Sequence, residues 1–471
     1  MSAMFRSLSV RNYRLWFIGA LVSNIGSWMQ ATTQNWVVLT DLTDNDAVAV
    51  GATMALQFGP QLLLVPITGL IADRFDRRKI ILVTQSLLLL LGLALGLLLI
   101  LGHAELWHLY VFALLLGLVN AVDGPARQTF VSDLVDEHNM SNAVALNAAS
   151  FNAARMVGPA VSGLLIVLVG AGWVFVINAV TFVAMIVALV NIRTSELRAR
   201  PRASRSRGQL AEGFRYVRGR PDLLVVFAVV FLIGAFGMNF PIFASTMAVE
   251  FGRGAGEYGL LSSILAIGSL TGALLAARRE RARLRVVVLA SAGFGLAAIT
   301  ASLMPTFWTF GASLILVGFT TVTMLTTANG YVQTTTEPAV RGRVMALYMA
   351  ILMGGTPVGA PIVGAVANAF GPRWALVVGG AAGLVAAGIA LSWLIVAKDL
   401  RVHRAPGGRF GLHLDYAGKP RVRTVVPEEF SEQVALTSPI PLPRSNANTQ
   451  HTAGRKRTRM GPAPRKNRER R

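Results

Sequence analysis

Long apolar runs broken by short polar turns fill the first 400 or so residues of the chain. Twelve such runs fall near 13–37, 48–71, 80–101, 107–125, 142–169, 172–192, 222–248, 257–277, 286–304, 307–328, 343–369 and 374–397. A helix rises about 1.5 Å per residue, so runs of this length span the roughly 30 Å hydrocarbon layer of a bilayer. Lipid offers no partner to an unpaired backbone amide, so each run is expected to be an α-helix. The pattern predicts an all-α membrane protein with twelve transmembrane helices.

The turns between the runs alternate in charge. Arg6, Arg11 and Arg14 precede the first run, and the first turn carries Asp41, Asp44 and Asp46 without a base. The second turn holds Arg74, Arg77, Arg78 and Lys79, the eighth holds five Arg from Arg278 to Arg285, and the tenth holds Arg341 and Arg343. Arg253 and Arg373 are the exceptions in the base-poor odd turns. Lys and Arg favour the cytoplasmic side, so both termini are expected there. Trp107, Trp173, Trp308 and Trp374 each open an even-numbered run, at the opposite face, where amphipathic rings favour the headgroup layer.

The chain also repeats. Asn142–Leu146 is followed by Arg155-Met-Val-Gly158-Pro159-Ala-Val-Ser-Gly163, and 201 residues later Arg343–Leu347 is followed by Thr356-Pro-Val-Gly359-Ala-Pro-Ile-Val-Gly364. Both segments lie in the fifth run of a set of six. The expected organisation is a six-helix bundle over 1–192, a basic cytoplasmic linker over 193–221, a second six-helix bundle over 222–397, and a tail over 398–471. Parallel repeats of this kind place binding sites between the halves.

Composition narrows the function. Of 471 residues, 54% are hydrophobic and 14% charged, well below the charged share of about 25% in soluble domains. There are no cysteines, which excludes disulfides, thiolate metal sites and cysteine nucleophiles. The net charge of +21 is concentrated in two places: residues 193–220 hold nine Arg against two Glu, and residues 398–471 hold seventeen Lys and Arg against six acids. Both flank helices, which suits anionic lipid and not nucleic acid. The tail is rich in Pro, Arg, Ser and Asn and is expected to be mostly disordered. No cleavable signal peptide is expected, because the first apolar run is too long.

No catalytic set, phosphate-binding glycine loop or metal spacing among the six His is present, so neither an enzyme nor a metal site is expected. Polar groups inside a membrane are costly and mark either a latch or a pathway. Arg155, in the middle of run 5, either meets an anionic substrate group or coupling carboxylate, or bonds backbone carbonyls at a packed interface. Asp123, near the end of run 4, suits a proton-coupling carboxylate in a partly desolvated place. It equally suits a latch to Arg127 or to the loop at Asp73. Gly158, Pro159 and Gly163 allow close helix approach and a bend. Asn24, Gln34, Gln57, Gln61, Phe236, Asn239, Met349 and Met353 are read as the lining of a cavity for an amphipathic molecule.

The turn Gly69-Leu-Ile-Ala-Asp73-Arg74-Phe-Asp76-Arg77-Arg78-Lys79 resembles the signature loop between helices 2 and 3 of the major facilitator superfamily of transporters. Pro125–Gln128, Asn142–Asn147, Arg155-x-x-Gly158-Pro159, Phe236–Pro241 and Gly254–Gly259 are similar to the branch that contains enterobactin exporters and actinobacterial multidrug pumps. The resemblance covers roughly residues 1–400. It implies that Gly69, Asp73, Arg74, Arg77 and Arg78 form a cytoplasmic gate latch, with Asp73 reaching a helix end in the second half and Arg127. It also implies that Arg155–Gly163 corresponds to the antiporter motif of helix 5. Three positions depart from the usual pattern: Ser162-Gly163 replaces paired glycines, Ala154 stands near a usual Gly, and Asp76 replaces a Gly. The basic residue of helix 4 typical of proton-driven drug pumps has no counterpart within the apolar limits of run 4.

The expected function is export of drugs or siderophore-like amphipathic molecules by alternating access, driven by proton antiport and requiring no cofactor. The alternatives are import or facilitated passage of a small anion, and a membrane scaffold or sensor whose tail recruits a partner. The expected setting is the bacterial cytoplasmic membrane, with the chain acting as a monomer.

Overall fold

The computed structural model of the protein describes residues 3–198, 209–279, 282–398, 400–404 and 412–416, with backbone alone at 3–4, 65–67, 69–70, 72–74, 209–211, 277, 397–398, 400–404 and 412–416. These residues belong to one compact unit, Met1–Tyr416. The first set of helices is α1 Arg11–Trp36, α2 Ala47–Arg74, α3 Arg77–Ile100, α4 Leu106–Leu134, α5 Glu137–Val169 and α6 Ala171–Val190. A short helix α7, Gln209–Arg218, follows in the basic linker. The second set is α8 Pro221–Leu232 with α9 Phe240–Glu250, then α10 Ala255–Ala277, α11 Leu284–Ser302, α12 Phe307–Thr335, α13 Arg341–Phe370 and α14 Pro372–Lys398. In the tail, β1 Leu400–Arg404 pairs antiparallel with β2 Leu412–Tyr416. The disorder expected for the rest of the tail concerns residues outside those described.

Among the described residues, eleven segments are long and apolar enough to cross a membrane, counting Pro221–Glu250 as one. Helix α1, the first of the twelve expected spans, is less apolar than these eleven. Its 26 residues reach about 39 Å, but much of its surface is polar. That polarity is bonded inward: Gln30 accepts from Asn178 of α6, Gln34 donates to Gln57 of α2, and Thr33 meets Ser162 of α5. Packing among neighbours, and not contact with lipid, makes this sequence viable as a buried helix.

Several helices outrun their apolar limits. Helix α4 continues past the expected end at 125 to Leu134, and α5 starts at Glu137 with Asp136 as its N-cap. Capping groups set such ends: Asp46 accepts from two amides of α2, Asp76 caps α3, and Gly170 and Gly371 close α5 and α13 at positive φ. The expected seventh span is interrupted. A π-helical turn over Ile233–Gly237 leads into non-helical Met238 and Asn239, and Pro241 then sits in the first turn of α9. Proline removes the helical bond to the carbonyl four residues earlier, here that of Gly237, which favours the break at Gly237-Met-Asn-Phe-Pro241.

The cap at Asp136 carries a pH signature. Bonding from the Asn139 amide holds its carboxyl below the usual carboxylate range. A depressed folded pKa means that the contribution is present above the ordinary carboxylate value and lost as pH falls through the folded one. Protection of the Asn139 amide from exchange, measured against its intrinsic rate at each pH, is therefore expected to fall in acid more than that of its neighbours. Asp136→Asn, an equally good cap, should remove that excess.

In the first set, α1 packs on α5 and α6, α2 on α4, and α3 on α4 and α6; in the second, α12 packs on α10 and α11, and α11 on α14. Two seams join the sets, α2 with α13 and α5 with α10. They obey the internal repeat. Gly163 of α5 abuts the backbone of Ala255 and Gly256, while Gly364, 201 residues on, abuts that of Ala47 and Val48. A Cβ at Gly163 would come 2.7 Å from the Ala255 carbonyl oxygen, so side chains are excluded from both seams. Both lie at the end of the bundle that carries Trp107, Trp173, Trp308 and Trp374, all well exposed in the first turns of their helices. There Trp36 stacks on Tyr258 with centroids 5.7 Å apart, and Asn368 donates to Asp46 at 2.6 Å and accepts from the Ala47 amide at 2.9 Å.

At the opposite, basic end, the described ion pairs stay within one set: Arg77 with Asp133 at 2.8 Å, Arg220 with Asp222 at 2.8 Å, and Arg343 of α13 with Glu212 of α7.

Candidate functional site

A polar network lies inside the first set where α1, α3 and α4 meet. Asp123 of α4 is buried, with one carboxylate oxygen accepting from Thr84 at 2.5 Å and Gln85 at 3.1 Å, both on α3. Its other oxygen faces the Nε of Arg127, one turn further along α4, at 2.6 Å. That contact is a close ion pair without the alignment of a hydrogen bond. The same guanidinium donates to Ser23 at 3.1 Å and reaches Asn24 at 3.5 Å on α1, and Ser23 also donates to Gln85 at 3.3 Å. One carboxylate and one guanidinium thus tie three helices together. Because α4 continues past the apolar limit of run 4 to Leu134, Arg127 lies within the same helix as Asp123.

Arg155 occupies a second site. Gly158 and Ser162 mark the face of α5 on α1, against Trp28 and Thr33, while Pro159 and Gly163 mark the face on α10, against Gly259 and Ala255. Arg155 lies one turn earlier, between those two faces at 100° per residue. Exposed Val157, Leu164 and Leu168 mark the other side of the helix. The guanidinium therefore enters the space bounded by α1 of one set and α10 of the other. It sits over the Trp28 ring at 5.7 Å from the centroid, and the ring's other neighbour is Phe151, edge-on at 5.8 Å. Among the described residues it has no hydrogen bond and no acidic partner. Trp28 follows Asn24 by one turn on α1, so the two sites are adjacent along one helix face.

Pro159 removes the ladder bond to the carbonyl of Arg155, which loosens α5 at this level. The Ser162 that replaces a glycine of the motif bonds Thr33 at 2.8 Å, binding α5 to α1 where a second glycine would leave a gap.

The gate-loop residues separate. Arg77 pairs with Asp133, and Arg78 donates to the carbonyl of Leu189 at 2.7 Å, closing the end of α6. Arg127 pairs with Asp123. The side chains of Asp73 and Arg74, and the surroundings of Gly69, lie outside the described residues. Of the expected lining, Gln34 and Asn239 are completely buried, each with its side-chain carbonyl oxygen unpartnered among the described residues. They back the interior and do not face an open surface. Gln57 and Phe236 are half-buried with Gln61, and Met349 and Met353 are exposed on α13.

Sequence reading missed Ser23, Thr84, Gln85, Trp28 and Asn368. Thr84-Gln85 is an obvious polar interruption in a Leu-rich run, and Trp28 follows Asn24 by four; both signals were available. Asn368 and Asp46 are 322 residues apart, and no local pattern connects them.

Residues 2–406 match the family described as transmembrane secretion effector. The staphyloferrin A transporter of Staphylococcus aureus is 24% identical over 76% of this chain and 90% of its own. The enterobactin exporter EntS of Shigella boydii is 25% identical over 75% of this chain and 85% of its own. Among solved structures, the nucleoside transporter NupG superposes with a TM-score of 0.64 at 14% identity, over 81% of this chain and 99% of that one. A bacterial homolog of the lysosomal transporter Spinster, in an inward-facing and unoccupied conformation, gives 0.63 at 16% identity, over 81% and 96%. These structures share the fold of two six-helix halves, and the sequence relatives are transporters, not enzymes. The chain belongs to the transmembrane secretion effector family of the major facilitator superfamily, a multi-pass membrane transporter from a family of bacterial inner-membrane proteins.

Proposed function

We propose that the protein is a proton-driven exporter of siderophore-like, amphipathic small molecules, with both termini in the cytoplasm. The observation that carries the coupling is the buried Asp123–Arg127 pair. A proton arriving on Asp123 competes with Arg127 for the carboxylate and frees the guanidinium toward Ser23 and Asn24 of α1. Proton binding thereby alters the connection between helices that border the interior, as alternating access requires. The two glycine seams supply the moving part. They close the Trp-bearing, outer end in the state described. The substrate class follows the named relatives, one an enterobactin exporter and one a staphyloferrin A transporter. The driving gradient replaces any cofactor, and the protein works as a monomer held by anionic lipid at its basic linker and tail.

The test is uptake of enterobactin and of staphyloferrin A into everted membrane vesicles energised to an acidic lumen. The expected result is accumulation of at least one, abolished by an uncoupler and by Asp123→Asn. Accumulation that ignores the uncoupler contradicts proton antiport. Uptake of both only into right-side-out vesicles contradicts export.

A further inference from the structure

We infer that Arg155 and Trp28 form a binding site for a single organic carboxylate on an aromatic or otherwise apolar carrier. This rests on the transport reading and specifies what that pathway recognises. Arg155 lies within the longest membrane-crossing helix of the first half, in the space between α1 and α10, and the described residues provide no carboxylate for it. The network at Asp123 is already neutral, one acid with one base. A guanidinium left unmatched in the membrane is costly, and an anion that enters beside it removes the cost.

Three features choose the anion. The guanidinium offers a planar fork of N–H donors that matches the two oxygens of a carboxylate. Its charge is single, and the position equivalent by the repeat is Thr356, whose hydroxyl bonds the Gly234 carbonyl, so that position supplies no second cation. A monoanion is matched, whereas a phosphate monoester of about −1.5 to −2 leaves excess negative charge in a poorly solvated place. Trp28 and Phe151 add aromatic surface beside the cation, suited to an apolar carrier. Asn24, one turn from Trp28, is a ligand of Arg127. Occupation of the carboxylate site is thus placed to affect the Asp123–Arg127 pair along one face of α1.

The probe is dansylglycine, a fluorescent monocarboxylate, compared with its neutral amide by anisotropy titration of the purified protein in nanodiscs. The wild-type protein is expected to bind the carboxylate about tenfold to a hundredfold more tightly than the amide, the range for hydrogen bonds to a charged group. Arg155→Gln should abolish the preference, and Arg155→Lys, which keeps the charge, should retain part of it. Preference that survives in Arg155→Gln overturns the site, and so does its absence from the wild type. Parallel flux of both probes into everted vesicles separates the two claims. A wild type that moves the amide as well as the carboxylate keeps the transporter and overturns the carboxylate site. A wild type that moves neither these nor the siderophores overturns the transport reading itself.

Discussion

Asp123→Ala is expected to destabilise the protein by about 3–5 kcal/mol, the cost of leaving a buried partner charge uncompensated. Asp123 and Arg127 are both largely shielded, and the substitution removes at once the oxygen that accepts from Thr84 and Gln85 and the one that pairs with Arg127. Thermal unfolding in nanodiscs should register the loss as a clear fall in midpoint. The double variant Asp123→Asn with Arg127→Gln keeps shape and hydrogen-bonding groups while deleting both charges. It should regain most of the stability, because a neutral pair no longer carries the penalty. Yet it should not regain proton-driven accumulation, because no group remains to exchange a proton. If the double variant recovers both, the pair is a structural latch and the coupling residue lies elsewhere.

The second large effect is expected at the seams. Gly364→Leu places a side chain where the Ala47 carbonyl and Val48 already touch the glycine, and Gly163→Leu does the same at Ala255 and Gly256. Overpacking of a close contact typically costs about 1–3 kcal/mol. Because one face of the seam belongs to each half, the strain is relieved when the halves separate at that end. With each 1.4 kcal/mol worth about a factor of ten, the population should shift by roughly one to two decades away from the state described here. The natural absence of cysteine makes this measurable. Spin labels on Asp44→Cys and Ala369→Cys, both exposed at the sealed end, should report longer distances in Gly364→Leu than in the parent. An unchanged distance distribution would mean that the seam yields locally and does not control the opening.

The parts of the fold that depend on local sequence were legible, and those that depend on register between distant helices were not. Run length, the Lys and Arg bias of the turns, and the 201-residue repeat each report a property that a single segment carries by itself. The repeat even anticipated that Gly163 and Gly364 would hold equivalent places. Helix α1 is less apolar than the other spans because its polar residues are satisfied by partners on five other helices, among them Asn178, 148 residues away. The same limit applies at the site. Asp123 and Arg127 stand four apart, a spacing that suggests pairing on any helix, but the apolar limit of run 4 hid the fact that one helix holds both. Thr84 and Gln85 complete the cluster only through the register of α3 against α4. For Arg155 the sequence offered three readings: a ligand of an anionic substrate group, a partner of a coupling carboxylate, or a bond to backbone carbonyls. Its direction, over Trp28, depends on the packing of α5 against α1 and becomes visible only when the contacts of Gly158 are known.

The central claim is that a proton moves through Asp123 in exchange for substrate. It is tested most directly in proteoliposomes containing a pH-sensitive dye, without any imposed gradient, by adding enterobactin or staphyloferrin A to one side. The account predicts proton movement opposite to substrate in the wild type and none in Asp123→Asn, with substrate binding retained in that variant. Substrate flux in the wild type without proton movement, or equal proton movement in Asp123→Asn, would contradict it.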